Sequence, residues 1–259
     1  MHILLPPSEK KAADGDGPPL DLSSLSFPGL NPVRERILAG LGRVCRRSDA
    51  SSVLGLPPGQ AEEALARNRA LRDAPTLPVA RLYTGVLYDN LDLPNLDAAA
   101  AAEQIIVFSG LWGALRLTDR VPPYRLAMAV SLPPGGRLGT LWRPAMRDAL
   151  RLDDDLIVDM RSGPYASVWK APQPAVAVRV FRERLVGGAT AGAAGRSHRG
   201  ETHRTVVSHM AKATRGRIAH DLLRADAAPR TPDELLKAVA DLGYTAELNG
   251  PNLDVILRD

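Results

Sequence analysis

At 259 residues and 45% hydrophobic content the chain is long enough for a real core, and its single cysteine, Cys45, excludes an internal disulfide and any cysteine-built zinc or iron–sulfur site within one chain. The N-terminus, Met1-His2-Ile3-Leu4-Leu5-Pro6-Pro7, has neither a basic nor a long apolar signal region, and no segment approaches the roughly 20 apolar residues that span a bilayer, so a cytoplasmic protein with no membrane partner is expected. The formal charge of +4 hides an asymmetry: Arg179 to Arg224 holds ten Lys/Arg against three Asp/Glu, or +7, and leaves −3 for the rest, which suggests a polyanion or phosphate-bearing partner unless the arginines are simple surface solubilisers.

In chain order, Ile3-Leu4-Leu5 reads as a short buried strand ended by Pro6-Pro7. Ser8-Glu9-Lys10-Lys11 then falls where α/β proteins place function, outside a strand's carboxyl end, and singles out Lys10. Asn31-Pro32 opens a helix with a Val33, Ile37, Leu38, Leu41 stripe, and a second helix is predicted over Gln60 to Arg72 with arginines outward. Tyr83 and Tyr88 flank Thr84-Gly85 and form either a stacking wall for a base or core edges with bonded hydroxyls.

The run Ile105-Ile106-Val107-Phe108 is the clearest buried strand. Ser109-Gly110 supplies a turn, and Leu111 to Arg116 reads as one or two helical turns with free N–H groups suited to an anion. Arg116, Asp119, Arg120, Tyr124 and Arg125 crowd the Pro122-Pro123 loop more densely than a connector needs, although Asp119 could simply pair with Arg116 or Arg120 to pin it. A helix follows Arg143-Pro144, and Asp153-Asp154-Asp155 reads as a turn rather than a metal site before a strand at Leu156-Ile157-Val158.

Ser162-Gly163-Pro164-Tyr165 is a third polar turn after a strand, and three such ends describe one shared crevice. Val176 to Phe181 alternates as a strand, Gly187 to Gly200 reads as a small-residue flexible loop or hairpin tip, and His198, His203 and His209 lack metal-ligand spacing. Lys212 and Arg215 lie one turn apart on a helix face. Thr231-Pro232 caps another helix, and Asn249-Gly250 marks an edge hairpin ending in Leu253 to Leu257.

The strings Ser109-Gly110-Leu111-Trp112-Gly113-Ala114-Leu115-Arg116, Asp119 and Pro123-Tyr124-Arg125-Leu126 resemble the central motif of the YaaA family of peroxide-stress proteins. Agreement extends to Leu82 to Tyr88, Leu141-Trp142, Ser162 to Tyr165 and Ala211-Lys212-Ala213-Thr214-Arg215-Gly216, nearly the whole chain. The resemblance implies a single α/β (mixed α+β) domain over residues 1–259, a central mixed sheet flanked by helices, and a basic cleft; some family members bind duplex DNA. It maps the family's N-terminal lysine onto Lys10, and it departs where Val86 replaces an acid and Ala213 a second lysine.

Two functions follow. In the first, a peroxide (oxidative) stress protein binds double-stranded DNA through phosphate contacts from Arg196, Arg199, Arg204 and Arg217. In the second, an enzyme acts on a nucleotide-like or other anionic small molecule, held by Ser109, Arg116, Tyr124, Arg125, Ser162, Tyr165 and Arg215, with Lys10 and Lys212 as catalytic amines. Neither reading calls for a metal or cofactor, and the pattern leaves the oligomeric state open.

Overall fold

The structure, a computed structural model, describes residues 1–152, 155–186, 201–205 and 207–258. Its centre is a mixed sheet in which five strands run parallel in the order Asn252–Arg258, Ala175–Val186, Ile157–Asp159, His2–Leu5, Ile105–Ser109. Antiparallel strands close both sides: Ala246–Asn249 beyond the first and Gly113–Arg116 beyond the last, while Glu201–Thr205 pairs with the distal half of Ala175–Val186. This is the mixed α/β architecture that the sequence predicts. Ile3 to Leu5 and Ile105 to Phe108 are unbroken apolar runs buried throughout, as strands covered on both faces must be. Among the described residues no helix is long and apolar enough to cross a membrane.

The segment after Ser109 corrects the sequence reading. Instead of helical turns, the chain reverses through Gly113, at φ +79°, into the Gly113–Arg116 strand. Two features force the reversal. Ser109 Oγ accepts the backbone N–H groups of Leu111 and Trp112, and the Trp142 ring occupies the space that a side chain on Gly113 would need, 2.8 Å from the missing Cβ. Trp142 comes from the helix Leu138–Ala149, which begins six residues before Pro144 because Leu138, Trp142 and Met146 form one buried stripe at spacing four.

Topology then makes the crevice. From Leu5 the chain crosses to the Ile105–Ser109 strand on one side, and from Asp159 it crosses to Ala175–Val186 on the other. The connections diverge, so the carboxyl ends of His2–Leu5 and Ile157–Asp159 flank a switch point, where open α/β sheets leave a cleft. The helix Ser208–Arg224 lies beside this cleft and presses on Val86–Leu91 so closely that a Cβ on Gly216 would meet Leu87 O at 2.2 Å. Only glycine permits that approach, and it fixes Lys212 and Arg215 over the opening.

Candidate functional site

Pro6-Pro7 end the first ladder, since proline offers no N–H to continue it, and after a bend at Glu9 the chain pairs again at Lys11. Lys11 bridges to Tyr83: Ala12 N–H donates to Leu82 O and Thr84 N–H to Lys10 O. Successive side chains on an extended segment point to opposite sides. The bridge therefore turns Lys11 inward and leaves Lys10 exposed at the rim, beside Gly85, Tyr88 and Asp89.

Lys11 Nζ stands 4.3 Å from the centre of the Tyr124 ring and 5.5 Å from that of Tyr83, and donates to Ser8 O at 2.9 Å. Burial, and after it the neighbouring Arg125 guanidinium, pull this ammonium down to about 7, against a smaller upward pull from Glu9. Beneath it Tyr83 and Tyr88 stack at 5.3 Å, and Tyr88 donates to Pro6 O. These rings stack on each other with their hydroxyls bonded, so they are the core-edge alternative and not a wall for a base. Burial holds the Tyr83, Tyr88 and Tyr124 phenols far above their ordinary value, and Tyr165 is pushed up to about 12 by the same cause.

Ser109 is wholly buried under Tyr124, with Oγ–Oη 2.6 Å; because Oγ already accepts two amides, its proton is left for Tyr124, which then faces Tyr83 Oη at 3.0 Å. Ser109 thus supports the floor of the site and does not face it.

Above this floor lies a cavity of about 410 Å³ lined by Lys11, Tyr124, Arg125, Ser162, Tyr165, Lys212 and Arg215, among others. Arg125 is gripped at its backbone by Asn68, which both donates to its carbonyl and accepts from its N–H, while its guanidinium reaches Glu9. Arg215 donates to Val178 O at 2.9 Å, yet its buried Nε has no acceptor among the described residues; burial lowers its proton affinity and Asp159 partly restores it. Lys212 is exposed at the mouth.

Of the residues expected to share one site, the structure brings together Tyr124, Arg125, Ser162, Tyr165, Lys212 and Arg215, with Lys10 on the adjoining rim. It does not bring Arg116 there. Antiparallel pairing sets Arg116 opposite Ile106, toward the amino ends of the parallel strands, where it donates to Glu103 O and covers the Phe27 ring. Asp119 pins loops, but through neither arginine side chain: it accepts from the Ser26 amide and hydroxyl and from the Arg116 amide. Arg120 pairs with Asp16.

Arg204 is held by Glu183 and Glu247, and Arg217 is exposed on the helix Ser208–Arg224. Arg196, Arg199, His198 and the Gly187 to Gly200 loop lie outside the described residues, as do Asp153 and Asp154; Asp155 pairs with the amino terminus and His2. Among the described residues no three His, Cys, Asp or Glu side chains converge. Two features escaped the sequence. Lys11 sits next to the lysine that the motif singles out and differs only in which way it points. Arg43, Arg46, Arg69 and Arg72 line a groove of about 450 Å³ between the helices Asn31–Val44 and Ala61–Arg69, two elements with no visible relation in the chain.

The fold and site define an α/β protein with a cation-lined cavity at the switch point of its sheet. The chain belongs to the YaaA family of peroxide stress proteins, whose description, "Peroxide stress protein YaaA", matches residues 1–249. It is 45% identical to a UPF0246 protein of Streptomyces coelicolor, a likeness that covers 100% of this chain and 99% of the relative. UPF0246 proteins of Corynebacterium efficiens and Corynebacterium glutamicum are 40% and 36% identical, over 96% and 97% of this chain and 96% of each relative.

Proposed function

We propose that this peroxide-stress family member acts through the switch-point cavity, which takes an anionic, phosphate- or carboxylate-bearing small molecule. The observation that carries the reading is the convergence of Arg125, Lys212 and the half-buried Arg215 on one cavity; Arg215 gives one N–H to Val178 O and forms no ion pair among the described residues. Like charges gathered in a partly desolvated cavity disfavour one another, and an anion bound among them would offset that repulsion. A ligand that binds only the folded state raises its thermal midpoint. Titration with inorganic phosphate and nucleoside monophosphates, read by calorimetry and melting, should show saturable binding that Arg215→Met and Lys212→Met weaken. No saturable binding to any of these anions would overturn the reading.

A second reading, duplex DNA binding, is favoured by the groove of Arg43, Arg46, Arg69 and Arg72. Arg43 and Arg46 are exposed, and no carboxylate pairs with them among the described residues. The helix Ala61–Arg69 joins this groove to the cavity, since Arg67 is near enough to Lys11 to depress its proton affinity. Such binding would be insensitive to sequence and would weaken by orders of magnitude between low and physiological salt. Gel shifts with arbitrary duplexes test it, with Arg43→Glu and Arg46→Glu in one variant and Arg196→Glu, Arg199→Glu and Arg204→Glu in another. Salt-insensitive binding, or none at low salt, would dismiss it.

A further inference from the structure

We propose that Lys11 is an amine nucleophile, and that the ligand class of this cavity is an anionic carbonyl compound, an aldehyde or ketone carrying phosphate or carboxylate, which Lys11 captures as an imine. The inference rests on the anion-binding reading above and adds the reacting group and its chemistry.

The placement of Lys11 is what a carbonyl trap requires. Its Nζ is enclosed over two aromatic faces, makes one hydrogen bond, to Ser8 O, and opens on the cavity. A lysine placed only for charge would meet a carboxylate or stand in water; this one meets no carboxylate among the described residues, although Glu9 lies two residues back. The chain has five lysines against 28 arginines, and arginine at this position would carry charge but no nucleophilic lone pair. Desolvation and the Arg125 charge keep a substantial share of the amine neutral near pH 7, the form that attacks.

The step balances without a further reagent. The lone pair of the neutral Nζ forms a bond to the carbonyl carbon as the C=O π bond opens, and one of the two amine protons passes to the oxygen to give a carbinolamine. That hydroxyl takes up a second proton and leaves as water while the nitrogen lone pair forms the C=N bond; the protonated imine then releases the other amine proton, so the two protons of the water balance the two lost from the amine and no electrons are gained or lost overall. Arg215, Lys212 and Arg125 would hold the anionic group across the cavity. Tyr165 keeps its proton well past neutrality and lines the same cavity, where it can donate to the departing oxygen.

The test uses the full chain with glyceraldehyde 3-phosphate and cyanoborohydride, which reduces imines to stable secondary amines, followed by peptide mass spectrometry. The expected label is on Lys11, at least tenfold above Lys10, Lys170, Lys212 and Lys237, faster at pH 8 than at pH 6, and suppressed by inorganic phosphate. Lys11→Arg should abolish it and Lys10→Arg should not; circular dichroism of Lys11→Arg establishes that the fold is kept, and if it is not, the wild-type site distribution and pH profile decide alone. Label spread over the exposed lysines, or unchanged in folded Lys11→Arg, overturns the proposal. Phosphate binding by calorimetry with no Lys11 label would sink the imine and leave the anion site standing. Lys11 labelling that neither phosphate nor the charge of the aldehyde affects would sink both.

Discussion

Lys11, Lys212 and Arg215 around the cavity and Arg161, Arg179 and Arg204 along the sheet are basic side chains under opposite arrangements. Arg161 grips Asp159 with two N–H groups at 2.9 and 2.7 Å and lies 4.2 Å over the Phe108 ring; Arg179 grips Asp254 at 2.6 Å twice; Arg204 bridges Glu183 and Glu247. The three switch-point cations meet carbonyls, aromatic faces or solvent, and no carboxylate among the described residues. Charge counted along a sequence therefore overstates charge available to a partner. Of the basic stretch from Arg179 to Arg224, Arg179 and Arg204 are already held in ion pairs within the fold, whereas Lys212 and Arg215 form none among the described residues.

The sharpest way to break the comparison is to remove a cation that the fold already holds. Arg34 is wholly buried and donates to the carbonyls of Trp112, Ala114 and Ser26 and to Asn31, so it stitches the first long helix to the Gly113–Arg116 hairpin. Arg34→Leu leaves those carbonyls buried without donors and should cost about 3–5 kcal/mol. Urea denaturation measures it, and a loss under about 1 kcal/mol would mean that fixed and available cations are not distinct classes here.

The converse variants should move binding and spare the fold. Losing a hydrogen bond to a charged group is worth about 1.5–3 kcal/mol, so Arg215→Met should weaken phosphate binding about 10- to 100-fold. Lys212→Met, at the mouth, should have a smaller effect. Both are read by calorimetry beside the urea midpoint; equal losses of binding and stability would place these residues with Arg34.

Much of this was legible where the signal is local. The run Ile105 to Phe108 is a strand because only two-sided burial suits four such residues in a row, and Asn249-Gly250 turns a hairpin because Gly250 can sit at φ +57°. Thr231 caps its helix by accepting from Glu234 N–H. Illegible were the features set by distant pairing. Whether Lys10 or Lys11 faces inward is decided by a bridge to Tyr83, far along the chain, and one step of register exchanges the two. Arg116 looked like a neighbour of Arg125 in the chain, but the Gly113 reversal sends it to the other end of the sheet. Ser109 lay in the right motif, and its burial depends on Tyr124 folding over it.

A further prediction concerns the proton of Lys11. In the unfolded chain this amine holds its proton up to about 10.5, and in the folded protein it releases it at about 7. Between those values the unfolded state binds more protons, so the Lys11 contribution to stability rises with pH, by up to about 1.4 kcal/mol per pH unit, and is least favourable below 7. Lys11→Met should remove this slope when unfolding free energies are compared from about pH 6.5 to 9.5; an unchanged slope would place the amine in solvent.

The smallest effect separates the two basic surfaces. Arg204 is largely exposed and held by two carboxylates, and exposed pairs are worth about 0.2–1 kcal/mol, so Arg204→Gln should shift the urea midpoint only slightly. Its consequence for DNA should be equally small, because a guanidinium already neutralised by Glu183 and Glu247 releases few counterions when it meets a phosphate. Each phosphate that the protein no longer neutralises lowers the slope of log affinity against log salt by about 0.9. Arg43→Gln with Arg46→Gln should therefore flatten that slope by up to about 2, while Arg204→Gln leaves it nearly unchanged. If Arg204→Gln flattens the slope as much as the pair does, its carboxylates give way to phosphate, and the division between held and available arginines fails at this surface.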